Sequence, residues 1–192
     1  MLWWMQYLAI FATALVVTLL ATPVARRFAI LVDAVDYPGA RRINREPVPR
    51  MGGIAVFLGL ACAILVQNIG SRVFRWPTVL VPNPHLSVNY WRLFAAFVVI
   101  FATGLIDDKF QLRALYKLAG QILGAVLAVS GGLIIGDVVN PFAPGFIELH
   151  WLAYPVTVVY LVAYVNIFNL IDGLDGLASG VTVIAGTTMF LL

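Results

Sequence analysis

Long apolar runs broken by short polar intervals set the pattern of this chain. The runs cover 2–22, 52–69, 90–106, 115–135, 151–170 and 176–192. Most come close to the ~20 residues an α-helix needs to cross the hydrocarbon of a bilayer. A lipid-exposed backbone must satisfy its own hydrogen bonds, so the runs are predicted to be helices. Pro23 follows the first run and Gly52-Gly53 opens the second. Pro77, Pro82 and Pro84 break the connection before the third, and Pro141 and Pro144 the one before the fifth. The expected fold is all-α: a polytopic transmembrane helical bundle of about six spans. No interval is long enough for a soluble domain, so residues 1–192 are expected to form a single membrane domain.

Composition sharpens this picture. The chain is 62% hydrophobic and 11% charged, with a mean hydropathy of +0.97, well above an ordinary soluble domain. The first cationic residue, Arg26, comes after the first run. A secretory signal peptide would carry its basic residues ahead of the apolar stretch, so 2–22 is read as a retained span. Cys62 stands alone in an apolar run, which excludes an intramolecular disulfide and points to packing.

Charge sets the orientation. Nine of the twelve basic residues fall between Arg26 and Arg50 or between Lys109 and Lys117; the other three are Arg72, Arg75 and Arg92. The positive-inside rule then puts the connections at 23–51 and 107–114 in the cytoplasm and the N-terminus outside. Because the basic clusters flank spans, they are read as topogenic and phosphate-facing, and nucleic acid is excluded as a partner. In this topology spans three and five both run inward. Asp107-Asp108, the Asn169–Asp172 segment and the arginine-rich connection are therefore expected on the cytoplasmic face.

In so apolar a chain, acids at the ends of spans call for a function, because ionised groups near a bilayer are costly. Neighbouring residues on a helix point about 100° apart. One of Asp107 and Asp108 could thus reach a metal or substrate while the other holds a neighbouring group; a solvated helix end paired with Lys109 is the plain alternative. Asn166, Asn169, Asp172 and Asp175 recur every three residues, which places neighbours in the series on roughly one helix face. Their oxygens are hard ligands suited to Mg²⁺, and Gly173 and Gly176 would free the backbone to turn. The alternative is a set of helix-capping residues. Between Asp36 and Gly53 lie Arg41, Arg42, Arg45 and Arg50. Arginines can hold phosphates by forked hydrogen bonds; a loop touching anionic lipid is the alternative. Together these features point to metal-dependent chemistry on phosphates at a membrane face.

The motifs Asp36-x-Pro38-x-x-Arg41-Arg42, Pro47-x-Pro49-x-x-Gly52-Gly53, Asp107-Asp108 and Asn166-x-x-Asn169-x-x-Asp172-Gly173-x-Asp175-Gly176 resemble those of the polyprenyl-phosphate N-acetylhexosamine-1-phosphate transferases, glycosyltransferase family 4. The resemblance covers essentially the whole chain. It implies transfer of a sugar-1-phosphate, GlcNAc-1-phosphate above all, from a UDP-sugar to a polyprenyl phosphate with release of UMP. This would be the first lipid-linked step of cell-envelope polysaccharide synthesis. It further implies a multi-pass enzyme of the bacterial plasma membrane with a cytoplasmic site, membrane lipid around it, Mg²⁺ (or Mn²⁺) as cofactor, and a homodimer as a candidate assembly. By position, Asp107 and Asp108 would be catalytic and Asn169 and Asp172 would hold the metal. Arg41, Arg42, Asn44, Arg50, Asn166 and Asp175 would bind substrate. Family members commonly carry His where this chain has Asn44. They also continue for several more helices, with a further metal-binding Asp and a His-rich cytoplasmic loop. The only histidines here, His85 and His150, are expected outside.

The short Pro47-Val48-Pro49-Arg50-Met51-Gly52-Gly53 run favours the N-acetylglucosamine branch over the phospho-N-acetylmuramoyl-pentapeptide branch. A CDP-alcohol phosphotransferase would need further acids after Asp175, and there are none. A cation or proton transporter would place its acids near mid-membrane, whereas these sit at span ends. An inactive membrane fragment is the remaining alternative. The last run stays apolar to Leu192 without a polar flank, so the chain is expected to be the N-terminal portion of a longer transferase and to be inactive alone. The topology is tested by cysteine substitution and an impermeant thiol reagent in sealed cells. Positions 85 and 150 should label from outside and positions 44 and 108 should not; labelling at 108 from outside would refute the orientation.

Overall fold

The computed structural model describes residues 3–38, 46–76, 88–172 and 176–191. Among the described residues six α-helices run in order: α1 Trp3–Leu31, α2 Gly53–Val73, α3 Tyr90–Phe110, α4 Ala114–Ser130, α5 Ala153–Ile171 and α6 Leu177–Leu191. Among the described residues three helical segments are long and apolar enough to cross a membrane: Trp4–Leu31, Gly53–Val73 and His150–Ile171. Ala114–Ser130 and Leu177–Leu191 are shorter apolar helices.

The fold is not purely helical. Two short antiparallel ladders join helix ends: β1 Val35–Asp36 with β2 Val48–Pro49, and β3 Asp137–Val139 with β4 Phe146–Glu148. Polar connections between helices still need partners for their backbone groups, and a local ladder supplies them.

The chain divides into two compact units, one of Met1–Tyr90 with Ile100–Lys117, the other of Trp91–Val99 with Leu118–Leu192. In the first, α1 and α2 form a close hairpin lined by small residues. Ala25, Ala29, Ala55, Gly59 and Ala63 are buried there. Lipid tails are as apolar as leucine, so helices in a membrane join through close backbone approach and polar contacts. Both occur: Gly59 lies against Thr18 and the Ala14 carbonyl, and Gln6 Nε2 donates to Gln67 Oε1 at 3.3 Å.

Helix α1 outlasts its expected end. Pro23 lies inside it, and the helix continues to Leu31, with Ala25 and Ala29 beyond the proline buried. It stops through a paired C-cap: Asp33 N–H donates to Ile30 O (3.1 Å) and Ala34 N–H to Ala29 O (2.8 Å). Asp33 takes the left-handed conformation (φ 57°) that this cap requires. Helix α4 ends the same way with Gly132 (φ 97°) in that position. Gly132 N–H reaches Val129 O and Leu133 N–H reaches Ala128 O, five residues before the expected end of that run.

In the second unit, Arg92 Nη1 on α3 donates to Ser130 O at the end of α4. Thr157 of α5 is buried, donating to Ala153 O and accepting from Ile135 N–H at 2.9 Å. A Cβ at Gly59 would come within 2.8 Å of the Ala14 carbonyl oxygen, while one at Gly104 would meet open space. Gly59→Ala should therefore destabilise the chain by about 1–3 kcal/mol. Gly104→Ala should be neutral or stabilising by up to about 1 kcal/mol. Unfolding midpoints in detergent would read the contrast.

Candidate functional site

The carboxylate pair sits in the last turn of α3, where the chain reverses into α4 over three residues. Gln111 adopts a left-handed conformation (φ 48°), and its N–H donates to Asp107 O at 2.8 Å. The Asp107 side chain completes the turn. Its Oδ1 accepts from Leu112 N–H at 3.1 Å and its Oδ2 from Lys117 Nζ at 2.7 Å. Both oxygens of Asp107 are thus committed to the α3–α4 connection, and the ion pair is only 22% exposed on either side.

Asp108, one residue on, points elsewhere. Its Oδ2 accepts from Met51 N–H at 3.1 Å. Met51 is buried in the left-handed region (φ 66°), a conformation few non-glycine residues adopt. It is held there by this bond and by packing with Ala29 and Ala34, flanked by Val32, Ile54 and Leu105. Oδ1 of Asp108 accepts no hydrogen bond among the described residues. Burial raises the proton affinity of the Asp108 carboxyl above the ordinary value; the Met51 N–H and the charge of Arg50 oppose this.

Arg50 precedes Met51 and is fixed at both ends. Its N–H donates to Ala34 O at 2.9 Å, and its guanidinium Nη2 pairs with Asp36 Oδ1 at 2.9 Å. Asp36 lies opposite Val48 in the β1–β2 ladder, so the ladder closes the base of the basic connection. Tyr37 OH donates to Asp33 Oδ1 at 3.0 Å, and that carboxylate raises the tyrosine's pKa. Arg41, Arg42 and Asn44, expected to bind substrate, lie outside the described residues, as does Asp175.

The asparagine series lies at the C-terminal end of α5. Asn166 is turned toward α4, where it exchanges hydrogen bonds with Gln121. Asn169 and Asp172 are exposed. Asp172 caps α5, its N–H donating to Phe168 O at 3.0 Å. A carboxylate at a helix C-terminus faces the negative end of the macrodipole, and the last turn holds no basic residue. A cation there would relieve the repulsion. Past the helix, Gly176 (φ 78°) turns the chain into α6.

The donor chemistry fits Mg²⁺, which takes hard oxygens from one or two carboxylates and completes its shell with phosphate and water. Asn169 and Asp172 are the residues that would hold it. Among the described residues no group of three or more His, Cys, Asp or Glu side chains gathers as a cation site. Sequence reasoning missed Lys117 and Gln121 as site residues. The available signal was their polarity inside an apolar run, where a polar side chain needs a partner.

Apolar helices long enough to cross a membrane, with carboxylates and amides at their ends, define a membrane-type helical protein. The chain belongs to glycosyl transferase family 4, whose family model matches residues 90–192. It is 37% identical over 182 residues to a Bacillus subtilis protein named "Probable undecaprenyl-phosphate N-acetylglucosaminyl 1-phosphate transferase", covering 95% of this chain and 47% of that one. It is 36% identical over 174 residues to a "Decaprenyl-phosphate N-acetylglucosaminephosphotransferase" of Mycolicibacterium smegmatis, covering 90% and 41%. With an "Undecaprenyl-phosphate alpha-N-acetylglucosaminyl 1-phosphate transferase" of Yersinia pestis it shares 29% over 171 residues, covering 88% and 42%. The chain spans about half the length of the curated relatives it matches. No solved structure matches it.

The raised proton affinity of Asp108 has a consequence for stability. As pH rises from the ordinary carboxylate value of 3.8 through the raised one, the unfolded chain has released this proton while the folded chain still holds it. Stability should fall with pH across that window. Asp108→Asn keeps an oxygen for the Met51 N–H and cannot titrate. Thermal unfolding followed from acid to neutral pH should show the decline in the native chain and lose that component in the variant.

Proposed function

We propose that this chain carries part of a transferase that moves N-acetylglucosamine-1-phosphate from a UDP-sugar to a polyprenyl phosphate at the cytoplasmic membrane face, releasing UMP. The observation that carries this reading is the division of labour at the end of α3. Asp107 is consumed by Leu112 and Lys117, whereas Asp108 keeps one oxygen open beside the charge of Arg50. Family membership and the printed names of the relatives support the substrate classes.

In the proposed reaction an oxygen of the lipid phosphate attacks the sugar-bearing phosphorus of the UDP-sugar. A new phosphoanhydride bond forms, the bond to the uridylate breaks, and UMP leaves with the electron pair. The nucleophile must be stripped of its proton. A phosphate monoester still holds part of its second proton near neutral pH, and a partly desolvated carboxylate with raised proton affinity accepts that proton more readily than an ordinary one. Asp108 through Oδ1 takes this role, and Asp107 holds the turn that aims it. Mg²⁺ held by Asn169 and Asp172 would supply charge neutralisation for the pyrophosphate. Arg50, secured by Asp36, adds positive charge beside the Asp108 carboxylate.

In the natural full-length protein, Asp108→Asn should cut UMP release from UDP-N-acetylglucosamine, with polyprenyl phosphate and Mg²⁺ present, by about 10²–10⁴-fold, the usual contribution of a general base. A variant that turns over at the native rate would remove Asp108 from the chemistry. Faster turnover of UDP-N-acetylmuramoyl-pentapeptide than of UDP-N-acetylglucosamine would overturn the choice of sugar.

A further inference from the structure

One buried polar contact in the second unit is left unused by the chemistry above. Gln121 on α4 is only 4% exposed. The other buried residues of that helix are Gly124, Ala125, Ala128 and Val129, so Gln121 is its one buried polar side chain among the described residues. Its Nε2 donates to Asn166 Oδ1 at 3.4 Å, and Asn166 Nδ2 donates to Gln121 Oε1 at 2.7 Å. The same Nδ2 also donates to Val162 O at 2.8 Å, one turn back in α5.

This arrangement saturates Asn166. A primary amide has two N–H donors and one oxygen. Both donors are committed and the oxygen already accepts one bond, so Asn166 has no donor to offer a nucleotide or a phosphate. What it does have is a directional bond to a second helix in apolar surroundings. Apolar side chains tolerate small rotations and slips of one helix against another. A buried amide pair does not, because any other setting leaves polar groups unpaired. The same logic lets a single polar residue fix register in a coiled coil. Asn169 and Asp172 follow Asn166 by three and six residues, about 60° and 120° round the axis from it, with Asp172 as the C-cap of α5, so a rotation of α5 would turn both with Asn166.

We propose that the Gln121–Asn166 amide pair is a positioning element: it fixes the rotation of α5 that directs the oxygens of Asn169 and Asp172, and Asn166 contacts helix α4 rather than substrate. The proposal rests on the reading that Asn169 and Asp172 take a divalent cation.

The test uses the chain in lipid nanodiscs and Mn²⁺ as the probe, read by electron paramagnetic resonance. Native Mn²⁺ binding should be lost in Asp172→Ala. Gln121→Leu, which keeps size and loses the amide, should weaken Mn²⁺ binding about 10-fold, the lower end for a group that orients metal ligands. The exchanged pair Gln121→Asn with Asn166→Gln restores two facing amides of the same combined length and should recover most of the loss, which a simple packing role would not produce. A second readout needs no metal. In a Cys62→Ser background, the thiol introduced by Asn169→Cys should react with a soluble maleimide at a rate that changes when Gln121→Leu is added. Equal Mn²⁺ affinity in the native chain and Gln121→Leu overturns the positioning role. Absence of Mn²⁺ binding in the native chain overturns the metal reading instead. The maleimide rate then decides positioning by itself: an altered rate supports it and an unaltered rate overturns it.

Discussion

A single side chain-to-backbone hydrogen bond, from Met51 N–H to Asp108, governs the architecture around the carboxylates. It binds the end of α3 to the start of α2, beside the cap that ends α1. Met51 occupies a backbone region that costs energy for a residue with a Cβ, so its conformation persists only while its surroundings hold it. Those surroundings are Ala29 and Ala34, almost wholly buried, and the partly buried Leu105 and Ile54. Arg50 inherits its placement from the same point, since the residue after it is locked and its own N–H is tied to Ala34. A charged group at the edge of an apolar bundle is thereby turned into a structural tie while one of its oxygens remains available.

The two aspartates show how neighbouring identical residues acquire different chemistry. The helix directs them about 100° apart. One meets a lysine and a turn amide; the other meets a buried backbone N–H and an apolar cluster. Opposite charge stabilises the ionised form of a carboxylate, and burial favours the protonated form. Asp107 is paired with Lys117 and the Leu112 amide, whereas burial raises the proton affinity of Asp108. Their separate roles in the proposed reaction come from this difference in surroundings.

Helices in this chain are joined by two unlike devices, both suited to a setting where apolar contact alone discriminates little. Between α1 and α2 the backbones approach closely over glycine and alanine, with one amide hydrogen bond from Gln6 to Gln67 beside them. Between α4 and α5 two amides reach across an otherwise small and aliphatic surface. The first device yields tight packing. The second, in the positioning role proposed for it, would hold one rotational setting of a helix that ends in candidate metal ligands.

Much of this was legible in the sequence. Each of the six apolar runs corresponds to one α-helix among the described residues, and three helical segments are long and apolar enough to cross a membrane. The paired aspartates and the Asn-x-x-Asn-x-x-Asp series stood out because charge is scarce in such a chain, and the family followed from their order. Other features depended on contacts distant in sequence. The passage of α1 through Pro23, with Ala25 and Ala29 buried beyond it, runs against the local tendency of proline to end a helix. The two β ladders arose where connecting segments had to satisfy their own backbone groups. The commitment of Asp107 to Lys117, of Asp108 to Met51, of Arg50 to Asp36 and of Asn166 to Gln121 could not be read from spacing. Each joins residues whose meeting is fixed only once helices have packed, and a polar group in an apolar setting takes whichever partner the packing brings within reach.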